Sequence, residues 1–386
     1  MRQIFYITYY EMAHIFKDKI LLLLIFVVPL LYAIFFGAVY SQGVLTDIPL
    51  AVVDLDQSAL SREVVKSFVN SPRFHVVDGI TTYPQLAEGM GENIVRAGVV
   101  IPQNFAADAA LSKGAKILTV YDGSNLIWGY NIRKYTQEII NQFSSYQASS
   151  YMAGLGLSKK EIIDVLDTVS TNITIWYNPT FSYASYMLYG LIMLVIHQIC
   201  LLSVSLTVTR EKENNSWLQF LCSPLPAWKI FLGKALPYFL AAFMNFCLLL
   251  WFITSFMHLK INGSVTLIML LGLLYTAAVT SFGFYTSLQA RNSLQVTRYI
   301  MLLSVPLLMV SGYTWPQTHI PAFINSFARL LPFTWMAEGL RNVALKNLGV
   351  NCLTPAILAL SLMLVAGILL VLTFKKVLNR ENHTGV

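Results

Sequence analysis

The chain has 386 residues, of which 56% are hydrophobic and 12% charged, and its formal net charge is +7. A soluble domain carries about a quarter charged residues, so a chain with half that fraction and long apolar runs is built for a bilayer. The basic surplus sits in short segments beside those runs, where it sets membrane topology, and this distribution argues against nucleic acid as a partner.

Residues 1–19 are aromatic and amphipathic. Ile4, Ile7, Met12 and Ile15 alternate with Arg2, Glu11, Lys17 and Asp18 at helical spacing. The pattern fits a helix lying flat in the headgroup region, or else a solvated lead-in to the first span. Residues 20–40 form that span. Its apolar core outruns the roughly 7–15 residues of a signal-peptide core and no A-x-A site follows, so it reads as a retained anchor.

Residues 41–180 are different in kind, with no spanning run and ten Lys/Arg against thirteen Asp/Glu. Short β-rich runs at 48–53, 75–77, 98–101 and 117–121 alternate with helical stretches at 58–69, 126–151 and 158–166. Asp56 is the expected N-cap of the first of these helices, and Ser158 with Glu161 opens the last as a capping box. Strands alternating with helices imply an inserted α/β domain of its own. Asp54 and Asp56 read as a turn at a strand end, since no third carboxylate or His is tied to them.

Further spans follow at about 181–208, 235–257, 265–288 and 353–374. A shorter run at 299–312 becomes long enough if extended back to Val296 or on to Trp315, giving six spans in all. Arg2, Lys17 and Lys19 precede the first span, and Arg210, Lys212, Lys229 and Lys234 lie between the second and third. Arg291 and Arg298 lie between the fourth and fifth, and Lys375, Lys376 and Arg380 follow the sixth in a tail at 375–386. The positive-inside rule then puts both termini in the cytoplasm and residues 41–180 outside, on the periplasmic or extracellular face.

The cysteines Cys200, Cys222, Cys247 and Cys352 form no CxxC pair, and neither HExxH nor GxxxxGK[ST] occurs. No metal site, catalytic group or nucleotide loop is therefore expected in this chain, so any ATP that drives it is bound by another. Tyr183, Tyr186 and Tyr189 recur at the outer end of the second span, as an interfacial belt or as the lining of a pathway. His197 lies inside that span, either bonded to a neighbouring helix or acting as a proton relay.

Residues 209–234, TREKENNSWLQFLCSPLPAWKIFLGK, resemble the cytoplasmic loop of type-2 ABC exporter permeases. The matching positions are Arg210, Glu211, Glu213, Ser216, Leu218, Leu221, Ser223, Pro224, Gly233 and Lys234. The family usually has Gly-Thr where this chain has Asn215-Ser216, so Asn is expected to make the turn. The resemblance implies a coupling helix at about 212–222. Trp217, Phe220 and Leu221 would seat on an ATPase subunit, and Pro224 and Pro226 would end the helix. Without such a partner the loop would be a polar connection with an interfacial helix.

Residues 311–346 resemble the exit from the fifth span in the same family, through Ser311, Gly312, Pro316, Pro321, Pro332, Trp335, Glu338, Gly339 and Arg341. The segment 313–346 is expected to form short re-entrant helices in the outer leaflet, with Glu338 and Arg341 paired as a gate or a structural clamp. A large extracytoplasmic insertion between the first two spans occurs in one branch of the family, and IPLAVVDLDQSALS opens it here.

The sequence thus reads as an α-helical integral membrane protein: six spans, re-entrant helices and an inserted α/β domain. The resemblance implies a permease without its own ATP site, in the bacterial inner membrane. It would work as two copies, or with a paralogue, on two ABC ATPase subunits that bind ATP and Mg. A periplasmic adaptor would meet the outer domain. An ion-gradient-driven transporter and a membrane-anchored sensor are the rivals, but the spans are nearly devoid of acids and the two halves do not repeat. The substrate is not legible in the sequence.

Overall fold

The amphipathic start folds as α1 (Arg2–Lys17), and Asp18 caps the next helix by accepting the N–H groups of Ile20 and Leu21. That helix, α2 (Lys19–Val39), widens into a π-helical turn over Leu23–Val27 just before Pro29. The computed structural model describes residues 2–40, 45–111, 114–166, 177, 182–217, 219 and 222–373. The expectations for Leu218, Phe220, Leu221 and the tail 375–386 lie outside the described residues.

The inserted region builds β1 (Ile48–Asp54), α3 (Ala59–Val69), β2 (Phe74–Val76), α4 (Tyr83–Gly91) and β3 (Ala97–Ile101). It continues through α5 (Phe105–Ala110), β4 (Leu118–Tyr121), α6 (Leu126–Gly154) and α7 (Lys159–Leu166). The strands form one sheet in the order β2-β1-β3-β4, the first three parallel and β4 antiparallel to β3. Ile48, Leu50, Val99 and Ile101 pack on one face with Val64 and Phe68 of α3 and Ile132, Tyr135 and Ile139 of α6. Ala51, Val53 and Val100 pack on the other with Leu86 of α4 and Val95. Strands buried on both faces are the composition of a parallel sheet, and Val44–Thr174 is a compact unit by itself.

One local expectation is corrected here. Ser58, not Asp56, caps α3, accepting the Ser61 N–H. Asp54 instead closes the turn, accepting from the N–H groups of Asp56 and Gln57 and from the Ser61 hydroxyl at 2.7 Å. Asp56 reaches away to the Ala106 N–H at 3.2 Å. Asp54 thus serves the turn, and Asp56 serves the first turn of the helix that starts at Phe105.

The other unit, Met1–Gly43 with Ile175–Val386, continues with α8 (Tyr183–Glu213), α9 (Ala227–Ser255), α10 (Val265–Gln289) and α11 (Ser293–Val310). Two short helices, α12 (Ala322–Ala328) and α13 (Pro332–Ala344), precede α14 (Val350–Val371). Helices α2, α8, α9, α10, α11 and α14 are long and apolar enough to cross a membrane. The chain is an integral membrane protein on this count. Helix α8 packs against α2, α9, α10, α11 and α13, while α1 packs along α9. The weak fifth run gains its length backwards, to Ser293, where Asn292 caps it.

Candidate functional site

Two span ends differ from expectation, and together they relocate the charged motif. Helix α8 runs on through Glu213, and α9 begins at Ala227, so Arg210, Glu211, Glu213, Gly233 and Lys234 are helical. Asn215, with φ of +55°, ends α8 in the left-handed conformation that Asn tolerates, so the turn falls on the residue expected to make it. The connection itself is shorter, about residues 214–226.

The charges at its root turn inward. Lys234, only 3% exposed, donates to Glu11 at 2.9 Å and to Glu211 at 2.8 Å. Arg210 donates to the other oxygen of Glu11 at 2.9 Å, and the Tyr238 hydroxyl joins that oxygen at 3.0 Å. Ser216, at the turn, donates to Glu211. Two acids thus meet two bases, and every member is satisfied, which is the condition for burying such a network at tolerable cost. Glu11 is held below the ordinary carboxylate range. Burial pushes it up, but Lys234 and Arg210 outweigh that.

Gly233 makes the approach possible. A side chain there would come within 2.6 Å of Ile7, so glycine lets α1 lie directly on α9. Glu213 accepts from the backbone and hydroxyl of Ser293 at 2.7 and 2.9 Å, tying the end of α8 to the start of α11. Lys212 donates to the Leu288 and Ala290 carbonyls that finish α10. In the connection, Trp217 is half-buried against the helical core, Ser223 accepts the Leu225 N–H, and Pro224 is exposed.

Glu11 was not expected here, since the amphipathic reading put it on the polar side. It lies on the stripe Ile4–Ile7–Glu11–Ile15, whose members are buried or half-buried, while Phe5, Tyr6, Tyr9, Tyr10 and Phe16 point outward. A carboxylate on an apolar stripe was the available signal.

The second constellation lies at the other end of α8. Tyr186 and Tyr313 each donate through the hydroxyl to the other's carbonyl, and their rings stack at 5.8 Å. Arg341 forks onto the carbonyls of Gly312 and Tyr313 at 3.2 and 3.1 Å, with its guanidinium 4.5 Å from the Tyr313 ring centre. It does so in place of the expected pairing with Glu338, which is exposed. Gly190 leaves the space that the Tyr313 ring fills, and Gly312 has φ of +78° with no room for a side chain beside Gln317. Tyr313, an aromatic residue between two motif positions, carries no local signal in the sequence.

The remaining candidates fall around this latch. Pro316 precedes a short 3₁₀ turn, Pro332 starts α13, and the Trp335 indole donates to the Arg329 carbonyl at 2.8 Å. Tyr183 packs between Tyr40 and Tyr186. Tyr189 is only 1% exposed and bonds the Lys260 carbonyl, so it is no part of a lipid-facing belt. His197 bonds the Tyr275 hydroxyl at 2.8 Å across to α10, the neighbouring-helix reading. It also borders a slot of about 560 Å³ between α8, α10 and α11, walled by residues such as Leu201, Val279, Phe282, Ile300 and Leu303.

Comparison with known proteins gives a consistent picture. The family described as ABC-2 family transporter protein matches residues 19–373. The chain is similar to the inner membrane transport permease YhhJ of Escherichia coli, at 26% identity over 93% of each chain. It is also similar to the probable multidrug ABC transporter permease YbhR of the same organism, at 22% identity over 78% of this chain and 79% of that one. The linearmycin resistance permease protein LnrN of Bacillus subtilis matches at 23% identity, over 89% of this chain and 91% of its own.

Proposed function

The chain belongs to the ABC-2 family of transporter proteins, as a membrane permease, and from that premise we propose that it moves substrate outward while a separate ABC ATPase binds and hydrolyses ATP with Mg. The observation that carries this reading is the root of the 214–226 connection. Lys234, Glu11, Arg210 and Glu211 bind α1, α8 and α9 together immediately behind it. A push on the connection is therefore passed to three helices as a rigid body rather than absorbed by a loose loop. ATP drives such a motion because the ATPase binds it differently in the two states.

In this reading the connection faces the cytoplasm, with the basic span ends beside it, and Val44–Thr174 lies on the outer side, where a periplasmic adaptor can meet it. The outward aromatics of α1 rest among lipid headgroups. The latch of Tyr186, Tyr313 and Arg341 then sits at the outer rim as a gate. A second permease copy covers α11, whose outer face presents Met301, Leu302, Val305 and Met309. Pro306 on that helix lacks the N–H that would pair with the Leu302 carbonyl, and lipid cannot supply a replacement donor. Cargo passing the slot beside His197 would be an apolar small molecule, in keeping with relatives named for multidrug transport and for linearmycin resistance.

The test is affinity purification of the tagged chain in mild detergent, beside a Trp217→Ala variant. An ABC ATPase recovered with the parent and reduced in the variant is the expected result. A well-folded parent that carries no ATPase after gentle crosslinking overturns the reading and favours ion-gradient-driven transport.

A further inference from the structure

Helix α2 crosses the bilayer with a proline at position 29, and proline has no N–H to bond the carbonyl four residues back. That carbonyl belongs to Ile25, within the π-helical turn where the Val28 N–H reaches back to Leu23. In an apolar bundle an unpaired carbonyl is costly. Asn245 of α9, itself 4% exposed, donates its side-chain N–H to the Ile25 carbonyl at 2.8 Å.

The same repair runs in the opposite direction one helix over. Pro237 interrupts α9, and the carbonyl it leaves is that of Gly233. The Thr8 hydroxyl of α1 donates to that oxygen at 3.2 Å. So α9 mends the break in α2, while α1 mends the break in α9. They add to the contacts of Glu11 with Lys234 at 2.9 Å and Tyr238 at 3.0 Å, and of Gln3 with Lys229 at 3.0 Å, so among the described residues five directional ties join the α1–α2 elbow to α9.

A proline repaired from a neighbouring helix does something a helix's own hydrogen bond cannot: it couples the two helices' positions. We infer that Asn245 is a positioning residue for transport, holding the first span to the third so that the elbow and α9 travel together when the 214–226 connection is pushed. This inference rests on the exporter reading for the push, but not for the tie itself.

The experiment uses a double-mutant cycle. In Asn245→Leu the Ile25 carbonyl loses its donor, and the thermal midpoint of the purified protein falls. Adding Pro29→Ala supplies a backbone N–H four residues after that carbonyl and lets the π-helical turn close in α-helical register, so Pro29→Ala/Asn245→Leu regains the midpoint while still lacking the bond between helices. With the native Cys200, Cys222, Cys247 and Cys352 replaced by Ser or Ala, spin labels at Phe35→Cys on α2 and Leu240→Cys on α9 then report the helix separation in the complex with its ATPase, nucleotide-free and trapped with ATP and vanadate. The expected result is one distance in both states for the parent, and a shifted or broadened distribution on trapping for both Asn245→Leu and the double variant.

A double variant as tightly coupled as the parent would reduce Asn245 to local repair and overturn the inference, as would a parent whose distance changes on trapping. Failure of Pro29→Ala to restore the midpoint would also overturn it, by denying that Asn245 answers the proline. Absence of an ATPase from the parent preparation fails the exporter reading alone, because the thermal half of the cycle needs no partner.

Discussion

Glu11 and Lys234 are 223 residues apart in the chain and 2.9 Å apart in space. The contact closes α1 over α9, and it does so at the root of the connection between α8 and α9, where Glu211 shares the same ammonium.

Removing the shared cation should be worse than removing one acid. Lys234→Met leaves Glu11 and Glu211 facing each other with only Arg210 between them, and breaking a buried pair in this way costs about 3–5 kcal/mol. Glu11→Gln leaves Lys234 on Glu211 and keeps a hydrogen-bonding group against Arg210, so its cost is smaller. Thermal unfolding in detergent should rank the parent first, Glu11→Gln next and Lys234→Met last.

Acid should loosen α1 in two stages. His14 is held below its ordinary 6.5, first by burial and then by Arg210. Protonation therefore favours the unfolded chain, and stability begins to fall as pH drops below 6.5. Glu11 is held below 4.5 because Lys234 and Arg210 outweigh burial. Its contribution is complete above 4.5 and is lost as pH falls from there through the lowered folded value. A thermal-midpoint profile should show both declines, and His14→Gln should remove the upper one only.

The aromatic latch should be sensitive to one added methyl group. At Gly190 a Cβ would lie 2.2 Å from the Tyr313 ring, whereas at Gly349 nothing stands within 4 Å. Gly190→Ala should displace Tyr313 and release its bond to Tyr186, lowering the midpoint, while Gly349→Ala, which meets no atom, should cost only the poorer helix cap that alanine makes at the start of α14. Arg341→Lys should also weaken the latch, since a tetrahedral ammonium cannot stack flat on the Tyr313 ring while an edge of N–H groups reaches the two carbonyls, as the planar guanidinium does.

The inserted unit should fold when excised. Residues 44–174 enclose their own two-faced sheet core, so the fragment should unfold cooperatively in denaturant. Phe68 is fully buried in that core, and Phe68→Ala should cost about 3–5 kcal/mol. A fragment without a cooperative transition would contradict the independence of this core.

What the sequence revealed, and what it hid, follows from the range of the forces involved. Apolar runs announced all six spans, and short β-rich runs set between helical stretches announced all four strands, because burial in lipid or in a sheet leaves a local mark on composition. The Asn215 turn was legible for the same local reason. Span ends were not: charges at 210–213 read as loop, yet Glu11, Ser293 and the carbonyls of Leu288 and Ala290 receive them and let α8 continue. Partners 76 to 199 residues away leave no mark on the helix they extend. Asn245 and Thr8 were silent likewise, although Pro29 and Pro237 stated in advance which carbonyls would need a donor.

The most direct test of the central claim is the rate of ATP hydrolysis by the partner ATPase, alone and with the permease in lipid nanodiscs, for the parent and Glu11→Gln. The account predicts that the parent permease changes the rate, and that Glu11→Gln still binds the ATPase but changes it less. A parent that binds no ATPase, or a Glu11→Gln complex that hydrolyses ATP as the parent complex does, would contradict it.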